Sequence, residues 1–155
     1  MADESGWMPD VERIPTQDYG YSDIAEDNMY PQAIIHHVMQ GYKQTMDDWA
    51  RSNNIGKSAH FGIDRSGNIT QYVSIWNPAW HAGDVNNPSW NGIARFGPNP
   101  NKYTIGIEQE GFSIDPVAYD YDYLYGEGID NKGRQRQPWP QSIVDACIEI
   151  NKFIF

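Results

Sequence analysis

The chain has 155 residues, 39% of them hydrophobic, with six Trp, ten Tyr and a formal net charge of −10. That length fits one compact domain, and that apolar content is enough to build a core. A chain so acidic lacks the Lys/Arg footprint that phosphate backbones and anionic lipid surfaces require, so neither nucleic acid nor membrane is expected as a partner.

Residues 1–31 read as an irregular lead-in of the same domain, with few periodic apolar positions. The opening "MADESGWMPDVERIP" is acidic and has no apolar core of a signal peptide. Synthesis in the cytoplasm is therefore expected, with some other means of release if the product acts outside. No run approaches the roughly 18 apolar residues of a membrane span. "QAIIHHV" (32–38) is β-branched and apolar, which predicts a buried strand. Successive strand side chains point to opposite faces, so His36 and His37 cannot both look into one pocket. The pattern does not say which of them does chemistry. Thr45-Met46-Asp47-Asp48 predicts a helix start, with Thr45 as cap and acids in the first turn. Trp49 and Ala50 carry that helix to an end near residues 53–56.

"HFGIDRSGNITQYVSI" (60–75) reads as a hairpin around Ser66-Gly67-Asn68. "YTIGIEQEG" (103–111) predicts another strand, and Gly106 inside it signals the close approach of another group. Glu108 and Glu110 share one face of that strand, and Gln109 faces the other way. Residues 112–138 form a long, tyrosine-rich irregular stretch of the kind often used in function. From Pro140 the pattern turns helical, with Ile143, Val144, Cys147, Ile148, Ile150 and Ile154 on the apolar face. The closing "NKFIF" carries no stop signal, so the chain is expected to be a fragment of a longer protein.

Four histidines and a strand-borne Glu could supply a zinc hydrolase site on inventory alone. The spacing gives that no support, because no helix carries a chelating pair. A carboxylate facing into an apolar strand is costly unless it is paired or functional, and burial would move Glu108 toward a general-base range. The plainer alternative is a solvated strand end. Cys147, in the apolar helix, reads as a small core residue. Trp76, Trp80, Trp90, Tyr103, Tyr119, Tyr121 and Tyr123 would suit a sugar-stacking groove, and core packing explains several of them equally well.

In this order and at this spacing, "AIIHH", "SAHFGIDRSGNITQYV", "AWHAG" and "YTIGIEQEG" resemble the zinc-dependent N-acetylmuramoyl-L-alanine amidases of the type 2 family. That family includes phage endolysins, the AmpD-like cell-wall recycling amidases and the peptidoglycan recognition proteins. The match runs from about residue 7 to 155. The resemblance implies an α/β fold with a mixed central β-sheet flanked by helices, one catalytic domain over 32–155, and zinc held above the sheet. It implies hydrolysis of the amide between N-acetylmuramic acid and L-alanine of the stem peptide, with peptidoglycan as partner and a monomer as the working form. Carried over by position, His36 is the zinc ligand and Glu108 the general base. Trp80 and His81 fall on the substrate side or are structural, and His60 is expected among the substrate-binding residues.

One branch of the family carries a Tyr before the His of "SAHF". Ala59 stands there in this chain, which places it nearer the AmpD-like branch. The family's remaining ligands, a His and then an Asp or Cys with a Lys nearby, follow the helix that begins here near Pro140. They are therefore expected beyond residue 155, and the C-terminal part of the domain is expected to be missing. A phage endolysin released through a holin is the favoured source, with a cytosolic recycling enzyme as the other. A non-catalytic peptidoglycan-binding domain is the alternative function, and a zinc-free structural domain a third.

Overall fold

The computed structural model describes residues 5–16, 31–52, 56–83, 91–114, 135–136 and 139–155. Their main feature is a five-stranded mixed sheet. It contains β1 (Glu12–Arg13), β2 (Ala33–Val38), β3 (Phe61–Ile63), β4 (Ile69–Gln71) and β5 (Thr104–Gln109), in the order β1-β4-β3-β5-β2. β3 and β4 are antiparallel, and the other neighbours are parallel. Helix α1 (Lys43–Arg51) lies against one face and α3 (Gln141–Ile154) against the other. A short helix α2 (Asn91–Phe96) and a single 3₁₀ turn (Pro100–Lys102) precede β5.

The β3–β4 hairpin forms where the turn residues predict it. Asp64 Oδ1 accepts from the amides of Ser66 (2.8 Å) and Asn68 (2.9 Å), and Gly67 takes the positive φ of +87° that the turn needs. The first turn of α3 docks on this hairpin, where the Ser142 hydroxyl donates to the Arg65 carbonyl at 2.7 Å.

Alternation sorts the strands into two layers. Phe61, Ile63, Ile69, Ile105 and Ile107 face α3 and pack with Ile143, Ala146, Cys147 and Ile150. On the other face Ala59, Tyr72, Val73 and Ala79 pack with Met46 and Ala50 of α1. Under α1 lies a buried charge network. Lys43 Nζ donates to Asp47 Oδ2 (2.9 Å) and Thr70 Oγ1 (2.6 Å), and the Tyr72 hydroxyl donates to Asp47 Oδ1 (2.6 Å). Buried ions are tolerable only with such complete pairing.

Four expectations change. Residues 12–13, read as irregular, form β1 by pairing with β4. The predicted strand at 32–38 is only half-buried, because β2 ends the described sheet. Helix α1 starts at Lys43, two residues before the expected cap Thr45. Tyr42 at its N-cap offers no side-chain acceptor, and the Glu110 carboxylate instead takes the Lys43 amide at 3.0 Å. On α3 the buried face is Ile143, Ala146, Cys147 and Ile150, while Val144 and Ile148 are exposed. The long stretch at 112–138 lies mostly outside the described residues. At its base, β6 (Ser113–Ile114) pairs with β7 (Gln135–Arg136).

Candidate functional site

The parallel strands β2 and β5 end side by side, and in open α/β sheets ligands gather outside such carboxyl ends. Their register pairs His36 with Ile107 and His37 with Glu108. Residues paired across parallel strands share a face. His37 and Glu108 therefore project to the α1 side, and His36 projects with Gln109 to the α3 side.

On the α1 side the histidines form a network whose proton positions can be deduced. The Thr104 hydroxyl donates to the Pro100 carbonyl at 2.7 Å, so its oxygen must accept from His81 Nε2 at 3.1 Å. With the proton on Nε2, His81 Nδ1 is an acceptor, and His37 Nε2 donates to it at 3.2 Å. The His81 ring lies over Gly106, where any Cβ would collide with it. That is the close approach that Gly106 foretold. His60 is fully buried. Its Nδ1 accepts from the Gly106 amide (3.0 Å) and its Nε2 donates to the Asn77 carbonyl (2.8 Å). Both of its nitrogens are used internally, so His60 offers a substrate no atom here. Its role in this structure is structural.

Burial holds both inner rings neutral. It pushes His60 down to about 4 and His81 to about 3, with the like charges of His60 and His37 adding to the effect at His81. The loop carrying His81 is pinned from below. Buried Asn101 Oδ1 accepts from the His81 and Ala82 amides, each at 2.8 Å. The Trp80 amide donates to Ser58 Oγ at 2.9 Å, and Trp80 itself is half-buried.

Glu108 completes this face. It is partly buried, and desolvation raises its carboxyl to about 7. A carboxyl titrating near neutrality is suited to exchanging protons with a substrate. Glu110 lies just past the strand and serves α1 as its cap. Nearby, the Gly41–Gly111 bridge joins the chain after β2 to the chain after β5. Beside it the exposed Tyr42 ring meets Phe112 edge-on, at 5.3 Å between centroids.

On the α3 side His36 is exposed. Its Nδ1 lies 3.1 Å from Nε2 of Gln109, which is 2% exposed and whose Oε1 has no partner among the described residues. Gln109 Nε2 also lies 2.8 Å from Cys147 Sγ. Among the described residues no three His, Cys, Asp or Glu side chains come together in a way that could hold a metal ion. His36 alone fits the part of one ligand. It is accessible, but Gln109 Nε2 donates to its Nδ1, whereas a metal-bound imidazole ordinarily donates its other N–H to an acceptor. Sequence reasoning gave Gln109 and the cap Glu110 no role. A polar Gln in an apolar strand, facing a buried helix, was the available signal.

A family model described as N-acetylmuramoyl-L-alanine amidase matches residues 27–154. The chain is 30% identical over 137 residues to the 1,6-anhydro-N-acetylmuramyl-L-alanine amidase AmpD of Salmonella typhimurium, covering 77% of this chain and 67% of that protein. The same enzyme of Citrobacter freundii is 29% identical over 154 residues, covering 87% and 76%. The crystal structure of a selenomethionine AmpD derivative superposes with a TM-score of 0.53 at 28% identity, covering 77% of this chain and 69% of that one. With its mixed sheet, its flanking helices and a match along most of its length, the chain belongs to the N-acetylmuramoyl-L-alanine amidase family.

Proposed function

We propose that this protein is a peptidoglycan amidase that hydrolyses the bond between N-acetylmuramic acid and the L-alanine of the stem peptide. The observation that carries the reading is Glu108. It is a partly buried carboxyl, raised to about 7, at the carboxyl end of a central strand in a chain of this family. At neutral pH a substantial share of Glu108 is ionised, so it can take a proton from attacking water. Protonated, it can return that proton to the departing alanine nitrogen. His37, its neighbour in register, is held by His81 and keeps the wall beside Glu108 rigid.

His36 would hold one coordination position of a zinc ion, with the remaining ligands outside the described residues. Such an ion, when bound, polarises the scissile carbonyl and lowers the pKa of water. His36 and Glu108 leave opposite faces of adjacent strands, so a substrate reaching both must pass around the carboxyl ends of β2 and β5. The half-buried Trp80 and His81, and the exposed Tyr42–Phe112 pair, are proposed to flank that path. The working form is a monomer made in the cytoplasm that meets the wall after release, as a phage endolysin does.

The test uses purified cell walls, with newly exposed alanine amines as readout. Glu108→Gln should abolish their release while the protein still sediments with the walls. Release at the wild-type rate would overturn the assignment of the base. Wall binding with no release from either protein would favour the non-catalytic alternative, for which it counts that no three metal-binding side chains cluster among the described residues.

A further inference from the structure

We propose that Tyr42 is a specificity-determining contact, a rigid aromatic platform on which an N-acetylated hexosamine ring of the glycan strand stacks. The inference rests on the amidase reading given above and assigns the glycan side of that site. It starts from a tyrosine that is 62% exposed at the N-cap of α1, just past the carboxyl end of β2. Its ring meets Phe112, which follows Glu108 and Glu110 on the neighbouring chain segment, edge-on at 5.3 Å between centroids. A single exposed aromatic needs no explanation. This one stands where two local preferences are set aside.

Helix N-caps favour Ser, Thr, Asp and Asn, whose side chains accept from the first amides. Tyr42 makes no side-chain cap hydrogen bond, and the Lys43 amide goes to Glu110 Oε2 at 3.0 Å. Capping is thus supplied from beyond β5, which leaves position 42 open to a ring. Gln40, just upstream, holds φ at +56°, a left-handed conformation that is costly for a residue with a side chain. The backbone around the ring is fixed on both sides. The Gly41 amide donates to the Gly111 carbonyl at 3.2 Å, and the Tyr42 carbonyl accepts from the Thr45 amide at 3.0 Å. Local rules are commonly broken in this way at functional sites. The outcome is a ring directed by its backbone, braced by Phe112 and still largely open to solvent. Such a ring has little freedom left to lose on binding.

The surroundings select the sugar over the peptide. A pyranose ring has a face of C–H groups, which can bury apolar area against an aromatic ring while its hydroxyl and N-acetyl groups stay in water. It needs an open ring and no pocket, which is what Tyr42 offers. A stem peptide ends in a carboxylate. Glu110 lies against the start of α1 beside Tyr42, in a chain of net charge −10. The cation next in sequence, Lys43, is buried on Asp47 and Thr70. This corner of the molecule therefore repels a carboxylate and accepts an uncharged ring.

The experiment titrates the full chain with tri-N-acetylchitotriose, a sugar probe without peptide, and separately with a synthetic stem tripeptide beginning with L-alanine, a peptide probe without sugar. The ring signals of Tyr42 and Phe112 are followed by NMR. The sugar should shift the Tyr42 signals, and the peptide should leave them in place. Tyr42→Ala should weaken sugar binding about 10-fold, whereas Tyr42→Trp, which keeps a ring, should bind at least as tightly as wild type. On cell walls Tyr42→Ala should raise KM for amine release more than it lowers kcat.

Tyr42 signals unmoved by the sugar, or a Tyr42→Ala protein that binds the sugar as wild type does, would overturn the inference. Signals moved further by the peptide than by the sugar would overturn it too, and would assign the ring to the stem peptide. The wild-type titration needs no substitution, so it decides even if a variant fails to fold. Neither probe contains the scissile bond, so the result stands apart from turnover. Sugar seated on Tyr42 with no amines released from walls keeps the platform and removes the amidase reading, and release with a silent Tyr42 does the reverse.

Discussion

The two faces of the sheet solve the same problem, a strand end carrying a histidine, in opposite ways. On the α1 side polar groups are buried in number, and each ring is fixed by named partners: His37 by His81, His81 by Thr104, His60 by Gly106 and Asn77. On the α3 side the layer is largely apolar, and one of its buried amides, Gln109, is incompletely satisfied among the described residues. The first face is rigid because every proton has a place. The second leaves buried Gln109 Oε1 without a partner among the described residues. Chemistry that needs a fixed proton acceptor belongs on the first face.

The largest effect should come from the α1 side. Glu108→Gln is expected to lower amide turnover by about 10²- to 10⁴-fold. In wild type, turnover should rise with pH through about 7, as the raised carboxyl ionises. A pH profile that is flat there would separate Glu108 from the chemistry. On the α3 side the expected losses are in stability. Ile150→Ala, in the fully buried part of α3, should cost about 2–5 kcal/mol in denaturant unfolding. Back on the α1 side, Gly106→Ala drives a methyl group into the His81 ring, and overpacking of this kind costs about 1–3 kcal/mol. It should also disturb the His81 signals while leaving those of His36 unchanged.

Acid should separate the faces further. His60 and His81 sit at about 4 and 3 when folded, below the ordinary 6.5, so the unfolded chain takes up protons first. Stability from these rings is complete above about 6.5 and is lost as pH falls through that value toward 3–4. His60→Gln should flatten this part of the stability curve. The smallest effect belongs to exposed Ile148, where Ile148→Ser should stay within about 0.5 kcal/mol of wild type.

What could be read in advance depended on how local the cause was. The hairpin was legible because Asp64, Gly67 and Asn68 make their turn among themselves. Gly106 was legible because a missing side chain in an apolar strand needs a reason. The split of His36 from His37 followed from alternation alone, but naming a role for either took a family resemblance. The start of α1 was misplaced because its cap, Glu110, lies 67 residues away along the chain. Val144 and Ile148 were assigned to the core because six apolar residues span a wide arc of helix. Only docking against Phe61 and Ile107 selects the part that is covered. β1 was invisible because Glu12 and Arg13 have no apolar pattern and are extended only by the strand they meet. His60 was placed by a substrate on the strength of resemblance, and its two internal hydrogen bonds are not visible in a sequence.

The cap on α1 has a consequence for measurement. The first amides of a helix have no intrahelical acceptor, and Lys43 finds its acceptor in a carboxylate two residues beyond Glu108. The helix start is therefore tethered to the strand end that carries the proposed base. Anything that pulls Glu110 aside would leave the Lys43 amide to water and let the first turn open. Hydrogen exchange at Lys43 is thus a gauge of whether the end of β5 stays in place, readable without substrate turnover and from a helix that need not itself touch the substrate.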